Sequence, residues 1–150
     1  IIAAVRKMQS ADINIIANYI FGLPDDTLET MQETLDLAMA INSEWANFYS
    51  AMAYPGSALY AIAVKEGWPL PGNPGGPGWI GYSQHSYECL PLPTKTLAAK
   101  EVLRFRDQAF QTYFSNPAYL EMIRKKFGQK VIGHIQRMTA IPLKRKLLDE

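Results

Sequence analysis

Two apolar runs, separated by the length of one amphipathic helix, constrain this chain more than any other feature. The first is Ile13-Asn14-Ile15-Ile16-Ala17-Asn18-Tyr19-Ile20-Phe21, which carries no charge and is apolar on both alternating faces. Such a run reads as a strand covered on both sides, as in a parallel sheet. Gly22-Leu23-Pro24 stops it. Asp26, with Glu29 three residues on, predicts a capped helix start, and the acidic cluster suits a helix N-terminus. Leu28, Met31, Leu35 and Ala38 fall on one stripe, predicting a helix over 28–41. The second run covers 45–53 and ends at Tyr54-Pro55-Gly56. Strand, helix and strand with a short return form a βαβ unit with parallel strands and a right-handed crossover. A further helix over 58–66 follows Ser57 and is closed by Gly67.

The rest of the chain reads mainly as helix. Ile1, Val5 and Met8 share one face, so residues 1–11 read as the end of a helix. Residues 68–81 are too rich in Gly and Pro for helix or central strand. The flanking aromatics Trp68, Trp79, Tyr82 and Tyr87 suggest a loop pinned at both ends, and a linker between subdomains is one reading of it. Thr96 is placed to cap a helix over 97–114 with Leu97, Phe105, Ala109 and Phe110 inward. Asn116-Pro117 starts another, ending at Gly128, and a last one covers about 130–138. The expected organisation is 1–67 as two strand–helix units, 68–93 as a Gly/Pro-rich loop and 94–150 as a helical extension.

Composition narrows the class. A 150-residue chain with 48% hydrophobic and 19% charged residues has the balance of a folded domain. No apolar run approaches the roughly 18 residues of a membrane span. No secretory leader opens the chain, so the cytoplasm is the expected compartment. The start Ile1-Ile2-Ala3-Ala4-Val5, without Met, suggests a piece of a longer protein. Residues 1–120 carry a net charge of −4 and residues 121–150 a net charge of +5. A basic tail either meets nucleic acid or a membrane or is a solvated amphipathic helix; interspersed Ile123, Phe127, Val131, Ile132 and Ile135 favour the second.

The chemistry-bearing residues are few. Gly22 at a strand end lets backbone approach a ligand, and ligands of parallel α/β folds sit at strand carboxyl ends; a tight turn before a helix cap is the plain alternative. The Gly22 turn lacks the Gly-Lys-Ser/Thr of a phosphate loop. Asn14 and Asn18, four apart on one strand, share a face with Ile16 and Ile20, and buried amides there need partners: a ribose or a neighbouring strand. His85 and His134 are far apart, which argues against a metal site. Cys89 has no CxxC partner, excluding a disulfide and a thiolate cage.

The stretch Asn14 to Thr27 resembles the late strand of radical S-adenosylmethionine (SAM) enzymes, where apolar residues lead to a Gly-Leu-Pro-Gly-Glu-Thr-like turn. Tyr49-Ser50-Ala51-Met52-Ala53-Tyr54-Pro55-Gly56-Ser57-Ala58-Leu59-Tyr60 is similar to that family's final strand and its Pro-Tyr-Pro-Gly-Thr-x-Leu-Tyr pattern. Tyr82-Ser83-Gln84, Leu90-Pro91-Leu92-Pro93-Thr94 and Arg104-Phe105-Arg106-Asp107 resemble the branch with an N-terminal cobalamin-binding domain. Asp25-Asp26 stands in place of Gly-Glu, and Ser57 in place of Thr.

The resemblance implies an α/β fold: the last two parallel strands of a partial TIM-type (β/α) barrel with their helices, plus a helical extension, mostly helical by residue count. It implies a parent iron–sulfur oxidoreductase using SAM, and cobalamin through a missing N-terminal domain. The cluster-binding CxxxCxxC is absent here, so the cluster ligands and first four strand–helix units are expected upstream, and the piece alone is expected to be inactive. Carried over by position, Asn18 faces the SAM ribose, Ile20 packs on adenine, Gly22 forms the turn, and Tyr49, Ala51 and Met52 border the adenine. The implied partners are the remainder of its own polypeptide and a small-molecule substrate, with no membrane or nucleic acid. An exposed strand edge predicts self-association of the piece, unless Leu97, Phe105, Phe110 and Phe114 fold back over the open face. A rival reading is a small helical interaction module that binds protein or nucleic acid through 121–150.

Overall fold

A computed structural model of the chain describes residues 1–149. Helix α1 (Ile2–Ser10) leads through a turn to strand β1 (Ile16–Phe21). Helix α2 (Leu28–Ile41), strand β2 (Trp45–Ser50) and helix α3 (Ala58–Lys65) follow. After a 3-10 turn at Gly78–Tyr82 come α4 (Ala99–Phe114), α5 (Pro117–Phe127) and α6 (Gln129–Thr139). The class is α/β, with about half the residues helical. β1 and β2 pair in parallel, from Ile16 opposite Trp45 to Phe21 opposite Ser50, with α2 between them.

Both strands are shorter than their apolar runs. Asp12 adopts a left-handed φ of 57°, and residues 11–15 turn into the sheet instead of extending it. Asn14 therefore lies outside the strand. β2 ends at Ser50, although the Ala51 N–H still reaches the Phe21 carbonyl at 2.7 Å.

The sheet is covered on one face only, not on both as its composition suggested. Tyr19, Phe21, Ala46 and Phe48 are buried in the main core with Met31, Leu35, Ala109, Tyr113 and Phe114. α2 packs on β1 and α4 on β2. Phe48 stacks between Tyr19 and Phe21, with centroids 5.4 and 5.9 Å apart. Each such ring contributes on the order of 1.5–3 kcal/mol through burial. On the opposite face Ile16 and Ile20 are 66% and 50% exposed. That face is open because the C-terminal helices all pack on the other one. Leu97, Phe105 and Phe110 lie half-buried against the main core, and Phe114 is buried in it.

Two hydroxyl-bearing caps sit one or two residues from their expected positions, while Ser57 caps α3 where the sequence places it. Thr27, not Asp26, caps α2, in a reciprocal pair with Thr30. Asp26 is diverted to the turn, where its carboxylate accepts the N–H groups of Gly22 and Leu23 at 2.9 Å each. Thr94, not Thr96, receives the amides of Thr96 and Leu97. α4 then begins at Ala99 with Glu101 reaching back to the Ala98 N–H. Asn116 caps α5 as expected, and Gly67 turns the chain after α3 at φ +68°. The Gly/Pro loop is pinned by half-buried Trp68 and by buried Leu70 and Tyr82, while Trp79 and Tyr87 face solvent.

Candidate functional site

The two edges of the sheet differ. The bonds Trp45 N–H to Ile15 O and Ala51 N–H to Phe21 O fix the odd-numbered residues of β1 as those facing β2. Ile16, Asn18 and Ile20 therefore turn their backbone groups outward, where no described residue pairs with them. The outer edge of β2 is closed at its carboxyl-terminal end. Gln84 accepts the Ser50 N–H and donates to the Ser50 carbonyl at 2.9 Å each, and Arg106 Nε donates to the Phe48 carbonyl at 2.7 Å. One amide and one guanidinium thus take three of the backbone groups that a neighbouring strand would pair.

At the carboxyl ends of both strands lies a cavity of about 260 Å³. It is lined by Ile20, Tyr49, Ala51 and Met52, together with Leu23, Tyr54, Leu59 and Gln84. Four of the six residues singled out in the sequence are thus brought together. Gln84, Tyr54 and Leu59 were not singled out. Gln84 belongs to the polar and aromatic segment 82–89, but no local pattern marks which of its side chains reaches the strand.

Asn18 sits one register step below the cavity on the open face. Trp45 Nε1 donates to Asn47 Oδ1 at 3.1 Å, and Asn47 Nδ2 donates to Asn18 Oδ1 at 2.9 Å. The relay ends on the Asn18 NH₂ group, whose two hydrogens have no acceptor among the described residues. The neighbouring-strand partner foreseen for this amide is present, and its donor side remains available to a ligand.

Gly22 follows β1 at φ +82°, where a side chain is strained, and a Cβ there would meet Val102 Cγ1 at 2.4 Å. Close packing of the turn on α4 therefore accounts for this glycine without a ligand. Cys89 is buried, and burial pushes its thiol above the usual range, as in an inert core cysteine. No group of three metal-ligating side chains occurs among the described residues.

The basic tail is largely engaged with the body of the chain. Lys126 meets Glu44 at 2.7 Å and Asp12 at 3.5 Å, Arg145 meets Asp107, and Lys146 meets Glu88. Arg124 and Lys125 pair with Glu121 on the same helix. The opposite net charges of the two segments are thus partly matched within the fold, and the rival reading loses much of its free basic surface. No helix among the described residues is long and apolar enough to cross a membrane.

Comparison with known proteins places the chain near one relative. It is 30% identical over 119 residues to an uncharacterized methyltransferase of Pyrococcus horikoshii; the match covers 79% of this chain and 24% of that protein. The chain therefore spans about a quarter of the relative's length. No family model matches, and no solved structure matches.

Proposed function

We propose that this chain is the C-terminal part of a radical SAM enzyme of methyltransferase-like activity, contributing the last two strand–helix units of a partial barrel and a helical extension. The observation that carries the reading is the unequal pair of sheet edges. β2 is finished off by Gln84 and Arg106 as a terminal strand, whereas β1 offers an unpaired edge and an open face to preceding strands. The similarity to a methyltransferase more than three times as long supports it.

SAM, when bound, supplies the one-carbon or adenosyl chemistry of the parent. The residues at the strand ends suit part of it: an apolar cavity of about 260 Å³ is the size of a nucleobase site, too small for the whole cofactor. In this reading Ile20 and Met52 pack on the adenine, Tyr49 and Ala51 border it, and the Asn18 NH₂ donates to a ribose hydroxyl. Gly22 holds the turn that places Leu23 over the cavity, and Gln84 keeps the end of β2 fixed.

The residues present do not suit an iron–sulfur cluster, since the chain has one cysteine and it is buried. In the proposal the cluster ligands, and the cobalamin-binding segment of that branch, lie outside residues 1–150. The substrate is met by the assembled parent, not by this part alone.

Equilibrium dialysis against labelled SAM tests the reading. Weak saturable uptake, displaced by 5′-deoxyadenosine and reduced by Met52→Trp, is expected. Uptake that never saturates, or that Met52→Trp leaves unchanged, would contradict it.

A further inference from the structure

The geometry points to a second ligand site, for a small organic monoanion with a flat apolar body, in a cavity along the outer edge of β2. It lies beside β2 on the side away from β1 and does not depend on the reading of the strand ends. The cavity encloses about 380 Å³, within the range of small-molecule sites. Its walls are mainly apolar, with Trp45, Phe110, Met138 and Ile141 among them, and Arg106, His85, Asn47 and Tyr49 supply the polar side chains.

Arg106 is the key residue. It is 2% exposed. Its Nε is used by the Phe48 carbonyl and its Nη1 by Asp107 at 2.8 Å, while its Nη2 has no partner among the described residues. The face of its guanidinium lies 5.7 Å from the Phe110 ring centroid. Asp107 is its counter-ion, but the same carboxylate is held by both Nε and Nη2 of Arg145, which is 1% exposed. Two buried guanidiniums thus share one carboxylate. One positive charge is left without a carboxylate of its own, and Arg106 Nη2, which is not sealed from solvent, is free to meet an anion entering the cavity.

A second donor lies nearby. Phe48 turns both backbone groups to the outer edge; its carbonyl takes Arg106 Nε, and its N–H has no partner among the described residues. A carboxylate in this cavity could take one bond from Arg106 Nη2 and one from the Phe48 N–H, with its apolar body between Trp45, Phe110 and Met138. Burial and the two nearby guanidiniums hold the His85 imidazole below its ordinary range, so it adds no competing cation near neutrality. A bare inorganic anion would leave the apolar walls uncovered and so fits the cavity less well. An organic cation would meet the unpaired guanidinium.

Isothermal titration with 2-naphthoate and its neutral isostere 2-naphthamide tests the site on the unmodified chain. The carboxylate should bind at least about tenfold more tightly, the scale of one charge-assisted bond. Met138→Trp, which fills the cavity, should weaken naphthoate binding about tenfold or more. Arg106→Gln should bring the two affinities together, and Arg106→Lys should retain part of the preference. Equal binding of the two probes to the parent, or naphthoate binding untouched by Met138→Trp, would overturn the assignment. The comparison of probes needs no variant, so it stands even if replacement of Arg106 prevents folding.

Discussion

Gln84 and Ser50 lie thirty-four residues apart, yet the amide of one satisfies both backbone groups of the other, at 2.9 Å each. Removing that amide leaves two half-buried backbone groups without partners at the end of β2. Gln84→Ala should therefore lower stability by about 1–3 kcal/mol, read from urea denaturation. An unchanged midpoint would mean that water replaces the amide at no cost and that the edge is not truly closed.

The Gly22 turn gives a sharper test. Its left-handed φ costs a non-glycine residue roughly 1–3 kcal/mol, and the contact with Val102 adds an overpacking penalty of similar size, about 1–3 kcal/mol. Gly22→Val should be strongly destabilised, and Gly22→Ala less so. In a double-mutant cycle, Val102→Ala should recover part of the Gly22→Ala loss. Strict additivity would show that the two sites do not press on one another.

Much of this architecture was legible in the sequence, for identifiable reasons. The βαβ order, the span of α2, Asn116 as a cap and Gly67 as a stop all depend on short-range chemistry that a local pattern records. The one-sided sheet was not legible. An apolar run such as 13–21 shows that both faces can be covered, but not that all the covering helices pack on one of them. The shift from Asp26 to Thr27 as cap has a similar origin: Asp26 is drawn away by two amides of the turn, a competition that spacing alone does not reveal. For the candidate site, the sequence points to the strand ends because ligand positions in parallel folds follow topology. The role of Gln84 was not, since it acts across a long loop.

Glu44 should leave a mark on the acid stability of the protein. Burial alone would raise its pKa, but bonds from Lys126 and the Ile15 N–H outweigh burial and hold it below the usual carboxylate range. A carboxylate with a depressed folded pKa stabilises the fold above its unfolded value, and this is lost as pH falls through the lower folded value. Melting temperatures followed from neutral into acid solution should therefore fall less steeply for Glu44→Gln than for the parent. Parallel curves would remove Glu44 from the account.

The unpaired edge of β1 and its exposed Ile16 and Ile20 form a template for pairing with a second copy. Sedimentation equilibrium of the isolated chain should show concentration-dependent association. Ile16→Lys with Ile20→Lys should return it to a single species of 16.8 kDa. A parent chain that stays at that mass at high concentration would refute association through this edge.

The proposed role rests above all on where an adenosyl group lands. Amide shifts of the labelled protein, followed during titration with S-adenosylhomocysteine, report that position directly. The account predicts that the perturbed amides cluster at residues 18–23 and 49–54, at the carboxyl ends of β1 and β2. Shifts confined to residues 121–149, or none at the strand ends when the ligand is in large excess, would contradict it.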